Sequence, residues 1–207
     1  MSEQSRGAAI GGSTQGGEPS SLTADAVTDP LKTVAFNPGF HRYRDFRCTK
    51  SSRVQDFFIR EFPRFDAYGY CKVFILPNPK DPTGIWGYYT VSSAELNQSE
   101  LTKTQQRQTL GGYPVPLSRI GFMGRDDGSI RGLGEALLVD AARRVHRGAD
   151  VNKAWGLILD AEGGAGTKLF CWYKETMKFT PLRDKSGVEK GTLYCPLRRL
   201  LPELGRN

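Results

Sequence analysis

The stretch "GSIRGLGEALLVDAARRVHR", residues 128–147, sets Gly132 and Gly134 where a turn runs into an amphipathic segment. The chemistry such residues can do is phosphate binding. A helix start presents unpaired backbone N–H groups and a partial positive charge, and glycines lack the Cβ atoms that would hold a phosphate away from them. Arg131 adds a full charge. Glycines at a strand-to-helix turn also serve geometry alone, so these residues by themselves leave both readings open. The spacing is not that of a P-loop. The turn also falls past the middle of the chain, with no ribose-binding acid in the place a first dinucleotide-binding unit requires.

Other chemistries are poorly supplied. Cys48, Cys71, Cys171 and Cys195 lie far apart with no C-x-x-C pair, which argues against a zinc knuckle and a disulfide framework and for reduced, mostly buried thiols. The two histidines, His41 and His146, are too few for a histidine metal site or a Ser-His-Asp triad, so no metal is expected. His146, among arginines near a helix end, reads as a surface residue suited to the helix dipole. The chain has neither a run of ~18 apolar residues nor a basic segment followed by an apolar one, so a soluble, cytoplasmic protein without membrane contact is expected.

The elements that would position the glycine turn follow from patterning. Residues 1–30 are rich in Gly, Ser and Thr without an aromatic residue, and are expected to be a disordered tail before a domain spanning 31–207. In "SSRVQDFFIREFPRF", Ser52 and Gln55 make a capping-box start and Pro63 a stop, which predicts a helix over about 51–62. "GYCKVFILPNP" and "GIWGYYTVSSAEL" predict an antiparallel hairpin around "NPKDPTG". Residues 97–112 are polar and weakly helical and read as a surface segment, one that a partner could order. "YPVPLSRIGFMG" predicts a strand confined to begin after Pro114 and Pro116. Leu133, Leu137, Ala141 and Val145 recur every four residues up to Gly148, which makes the following helix secure. "AWGLILDAE" reads as a strand buried on both faces, "GTKLFCWYKETMKF" as a helix, and "TPLRD" with "GTLYCPLRRL" as a final strand pair. The order is that of an α/β chain with a mixed sheet flanked by helices.

Charge points to a partner class. The chain carries a net +7, and because residues 1–30 contribute −3 the remainder carries +10. A polyanion fits such a balance, although many basic proteins bind none.

On the residues "SIRGLGEALLVDAARR", the sequence resembles the GNAT superfamily of acyl-coenzyme A-dependent N-acyltransferases, whose motif [Q/R]-x-x-G-x-[G/A] lies between a strand and a helix. Gly132 and Gly134 match; Ser129 stands where the family has Gln or Arg. The resemblance implies that the backbone of Arg131, Gly132, Leu133 and Gly134 holds the pyrophosphate of acetyl-coenzyme A, and that Phe122 and Met123 line its pantetheine arm. The loop between Met123 and Gly132 is about two residues longer than this resemblance leads one to expect. "RVQDFFIREFPRF", "GIWGYYTVSSAEL", "VPLSRIGFMG", "GLILDAE", "LFCWYKE" and "TLYCPLRRL" are similar, in order and over about residues 40–204, to one branch: GNAT toxins of type II toxin–antitoxin modules, which acetylate aminoacyl-tRNA.

In that branch a helix tyrosine protonates the leaving thiolate, and Tyr173 takes the matching position. It is followed by Phe179 six residues on, where the branch has five, and Lys178 stands in place of a glycine. Tyr88, Tyr89 and Trp172 read as core. Asp160 and Glu162, ending a strand, read as cap or turn residues, and an α-amine of low basicity needs no dedicated base. Phosphate contacts to tRNA are expected among Arg42, Arg44, Arg47, Lys50, Arg53, Arg143, Arg144, Arg147, Arg198 and Arg199. The resemblance further implies a homodimer and a ribbon-helix-helix antitoxin. The remaining readings are a GNAT acting on a protein or small-molecule amine, and a basic nucleic-acid-binding module whose cofactor site is degenerate.

Overall fold

Leu133, Leu137, Leu138, Ala141, Ala142 and Val145 form one stripe along a helix, and all six are buried. In the computed structural model, which describes residues 32–148 and 153–201, this stripe packs on a seven-stranded mixed sheet. The strands are β1 (Val34–Ala35), β2 (Lys72–Asn78), β3 (Asp81–Leu96), β4 (Val115–Arg125), β5 (Gly156–Asp160), β6 (Thr180–Arg183) and β7 (Glu189–Pro196). Their order is β1-β2-β3-β4-β5-β7-β6. Every pairing is antiparallel except β4 with β5. A parallel pair needs a crossover, and the striped helix, α4 (Leu133–Arg147), lies within that crossover. The shorter helices are α1 (Ser52–Asp56), α2 (Phe62–Ala67), α3 (Lys103–Gln106), α5 (Lys168–Cys171) and α6 (Leu197–Leu200). The expected tail lies outside the described residues. No described helix is long and apolar enough to cross a membrane.

The reading of β5 as buried on both faces holds. Leu157 and Leu159 join α4, Phe170, Leu193 and Cys195 in one cluster, while Ile158 joins Leu96, Leu101, Leu117 and Tyr194 in another. Residues 97–112 are mostly exposed and form short helical turns, as read, but that second cluster corrects the expectation that a partner would order them. Instead of awaiting a partner, the segment forms a turn of 3-10 helix (Gln98–Glu100) and α3. Leu101 and Gln105 are buried, and Gln105 Oε1 accepts hydrogen bonds from the Tyr194 hydroxyl at 2.5 Å and from Thr102 Oγ1 at 2.6 Å. Polar composition hid this because a glutamine can be buried once its hydrogen bonds are met.

Several boundaries differ from the sequence reading for identifiable reasons. The first helix is capped by Ser51, whose Oγ accepts from Val54 N at 3.1 Å, and Gln55 instead receives Cys48 N at 2.9 Å. Pro63 does not stop the helical run. A π turn over Phe57–Glu61, with Phe62 N bonded to Phe57 O, resets the register so that Pro63 falls in the first turn of α2, where its missing N–H is not needed. β4 begins at Val115, ahead of Pro116; the proline side chain is exposed and its carbonyl accepts from Trp155 N. "LRRL" turns into α6 rather than extending β7.

A second π turn, Trp172–Thr176, follows α5. A π turn takes one more residue than an α turn, and this one falls within the stretch from Tyr173 to Phe179. Lys178 takes φ +59°, the left-handed conformation that glycine adopts most easily, and its carbonyl accepts from Arg199 Nη1 at 2.9 Å. Lys178→Gly should therefore raise the unfolding free energy by about 1 kcal/mol, read from the denaturant midpoint. A lowered midpoint would show that Lys178 is not strained.

Candidate active site

The parallel ladder between β4 and β5 ends at Ile120 paired with Leu159. β4 continues to Arg125 along β3, whereas β5 stops at Asp160 and a loop carrying Gly163, Gly164 and Gly166 at positive φ turns away toward α5. The two strands part, and β4 keeps one edge without a strand partner. Phe122 N–H is used by Thr90 Oγ1 on the β3 side, at 2.9 Å. The β3–β4 register shifts at this point, with Gly121 and Phe122 both opposite Thr90; beyond the shift, strand alternation turns the Met123 N–H toward the opening.

Two cavities occupy this opening. The larger, about 910 Å³, runs from Gly132 and Gly134 at the start of α4 past Met123 to Trp172 and Tyr173. The smaller, about 270 Å³, lies between Arg53, Phe122, Asp160 and Tyr173. Met123, Glu162 and Tyr173 line both. Phe122 faces only the smaller cavity, stacked on Phe57 with ring centroids 3.7 Å apart.

The glycine turn answers the ambiguity of the sequence in two parts. Gly132 has φ +84° and opens α4, so geometry alone requires it. Gly134 has ordinary helical geometry, and a Cβ there would meet nothing closer than Trp172 Cη2 at 3.9 Å. Packing does not demand this glycine; its bareness leaves room for a group in the larger cavity beside the free N–H groups of the helix start. The extra length of the preceding loop is tied down. Asp126 accepts from Arg47 N and Gly128 N, and Asp127 accepts from Thr49 N. Ser129 is spent locally, its Oγ on Asp126 O at 2.5 Å. Leu133 turns its side chain into the core, leaving only its backbone for a ligand, and Arg131 is exposed at the turn.

Four tyrosines are buried, and their hydroxyls separate them. Tyr88 donates to Val54 O at 2.6 Å, Tyr89 to Asp140 at 2.5 Å, and Tyr194 to Gln105. These are core tyrosines with satisfied tips. Tyr173, 5% exposed, is held between Trp172 and Phe179, at 4.9 and 5.8 Å between centroids. Its hydroxyl makes no hydrogen bond among the described residues, and it stands where the two cavities meet. Burial pushes this phenol well above the usual range, so at neutral pH it holds its proton and has it available to donate.

The carboxylates nearby differ as well. Asp160 is ion-paired with Arg119 and receives Thr192 Oγ1. Among the described residues the Glu162 carboxylate receives only Ser51 Oγ, at 2.8 Å; sequence reasoning read it as a cap or turn residue because the two residues are 111 positions apart. Among the described residues no cluster of His, Cys, Asp and Glu is placed to hold a metal ion.

The basic candidates scatter in role. Lys50 lines the larger cavity and Arg53 the smaller, 5.7 Å above the Phe122 ring. Arg42 is paired with Asp45 and Asp81. Arg44 lies over Tyr43, and Arg47 Nη1 binds the carbonyls of Arg44 and Phe46. Arg143, Arg147 and Arg198 are exposed. Arg199 holds Lys178 O and Thr180 Oγ1. Arg144 turns inward, bonding Tyr89 and Thr33 and lying 4.0 Å from the Phe74 ring centroid.

A helical glycine without a packing role costs stability. Gly134→Ala is expected to raise the unfolding free energy by up to ~1 kcal/mol, and Tyr173→Phe, which removes an unpartnered hydroxyl, to change it by less than about 0.5 kcal/mol. Thermal or denaturant unfolding checks both; a loss of more than ~1 kcal/mol in either variant would return that residue to a structural role.

No family model matches the sequence. The structure is similar to that of AtaT complexed with acetyl-methionyl-tRNAfMet, at TM-score 0.69 and 18% identity over 84% of this chain and 98% of that one. It is also similar to a tyrosine-to-phenylalanine mutant of KacT, at TM-score 0.70 and 20% identity over 84% and 99% of the two chains. A third likeness is to AtaTR bound with AcCoA, at TM-score 0.66 and 17% identity over 84% and 97%. AtaT and KacT are GNAT toxins of toxin–antitoxin modules, and this chain has their fold: a mixed sheet that parts beside a glycine-rich strand-to-helix turn.

Proposed function

We propose that this protein is an acetyl-coenzyme A-dependent N-acetyltransferase that modifies the α-amine of aminoacyl-tRNA, and so acts as a toxin of translation. The observation that carries the reading is that Tyr173, a buried ring, brings a hydroxyl with no hydrogen bond among the described residues to the junction of two cavities, one of which reaches the start of α4. Acetyl transfer to an amine needs such a two-sided site, with a donor and an acceptor meeting at one proton source.

The residues fit the cofactor. The backbone of Gly132, Leu133 and Gly134 would hold its pyrophosphate, aided by the charge of Arg131, and the bare Cα of Gly134 leaves the space. Met123, on the free edge of β4, would line the arm. Acetyl-coenzyme A supplies an activated acetyl group as a thioester. Tyr173 would keep its proton for the departing sulfur, and the free Met123 N–H on the unpaired β4 edge would steady a carbonyl oxygen that gains charge. An aminoacyl ester's α-amine is partly neutral near pH 7.5, which suits a site built around a proton donor. The AtaT complex with an acetylated aminoacyl-tRNA supports this acceptor class.

Exposed Arg44, Arg143, Arg147 and Arg198, with Lys50 and Arg53 at the cavities, are the tRNA contacts this reading favours. A cytoplasmic location, a homodimer and a ribbon-helix-helix antitoxin belong to the same proposal. Antitoxin-bound AtaT supports the antitoxin as a partner class, whatever its type.

The test is transfer of radiolabelled acetyl from acetyl-coenzyme A onto bulk aminoacyl-tRNA, with deacylated tRNA as control. Label should appear on charged tRNA alone, and Tyr173→Phe should slow transfer by roughly a hundredfold or more. Cofactor binding without label on tRNA would redirect the activity to protein or small-molecule amines. No cofactor binding would leave a basic binding module. Gly134→Ala supplies the complementary result: the stability gain expected above should come with acetyl-coenzyme A affinity weakened about tenfold, measured by calorimetry.

A further inference from the structure

The smaller cavity carries a charge pattern that the reaction chemistry does not by itself require. Of the two carboxylates bordering it, Asp160 is already neutralised by Arg119 and held by Thr192 Oγ1. Glu162 has no cation in ion-pair contact among the described residues, and its one hydrogen bond comes from Ser51 Oγ across the opening. It lines both cavities beside Tyr173, where a transferred group must pass. The same cavity holds one exposed cation, Arg53, resting over the Phe122 ring rather than in an ion pair. An anion and a cation, neither in an ion pair among the described residues, in one 270 Å³ pocket are complementary to an acceptor bearing an amine close to a negatively charged carrier.

We infer that Glu162 is the residue that receives the amine of the acceptor, its carboxylate accepting N–H from the neutral, attacking form as well as from the ammonium, with Ser51 as the positioning residue that aims that carboxylate and Arg53 as the contact for the phosphate of the carrier. This rests on the proposed acceptor class, and assigns its recognition to particular side chains. Ser51 serves two ends at once: its Oγ accepts from Val54 N, capping α1, and donates to Glu162. The amine-binding carboxylate is thereby tied to the helix start that precedes Arg53, so the two charges are set by one short piece of chain.

The inference is tested by binding, without acetyl-coenzyme A, so that it does not depend on turnover. Affinities of the full-length protein for bulk aminoacyl-tRNA and for the same tRNA deacylated are compared. The wild type should prefer the charged form about tenfold. Glu162→Gln should abolish the preference while leaving deacylated tRNA binding unchanged, and Glu162→Asp should keep part of it. Arg53→Gln should weaken both forms alike and keep the preference. Absence of a preference in the wild type, its survival in Glu162→Gln, or equal weakening of both forms by that variant overturns the assignment; the last would make Glu162 only a structural tie. A preserved preference with no acetyl transfer would instead remove the transferase reading and leave the amine site standing.

Discussion

Everything at the site depends on the point where β4 and β5 stop being a ladder. After Ile120 and Leu159 the two strands share no further pairing, because β5 ends in a glycine-rich turn while β4 runs on along β3. A parallel pair that parted in a solid core would leave polar backbone buried without partners. Here the loss falls on a cavity, where a ligand can meet the free edge. The crossover helix α4 starts beside that edge, so one break in hydrogen bonding exposes both the strand edge and a helix N-terminus to the same space.

The core explains why this break is tolerated. Leu157, Leu159, Leu193 and the apolar stripe of α4 pack below it in one cluster, and a second cluster around Ile158, Leu101 and Tyr194 closes the other face. Each buried large side chain contributes on the order of 2 kcal/mol, enough in sum to hold an opening on one side of the sheet. Arg144, Tyr89, Asp140 and Thr33 form a polar cluster that ties the residue before β1 to α4. An arginine that composition assigned to a nucleic-acid surface is thus part of the scaffold.

Tyr173 shows how local irregularity serves placement. With the π turn that follows α5 and the left-handed Lys178 between them, Phe179 packs against the tyrosine ring six residues before it. Departures from an expected spacing need not remove a function when the backbone can take up the difference at a turn. The same holds for the long loop before Gly132, whose added length is pinned by Asp126 and Asp127.

What the sequence by itself determined was what short-range patterning encodes: α4, β5 and its two buried faces, the β2–β3 hairpin, and the glycine turn between a strand and a helix. The resemblance carried the fold as well, through the order of pieces that are individually loose. Tertiary structure decided the rest. Only spatial neighbours distinguish Gly132, required by its own φ, from Gly134, bare without a packing reason. Only hydrogen-bond partners distinguish Tyr173 from Tyr88, Tyr89 and Tyr194, since all four are buried aromatics in apolar stretches. Glu162 and Ser51, and likewise Arg144 and Thr33, meet across more than a hundred residues, and no periodicity within a single element records that a side chain's charge is left over or already spent.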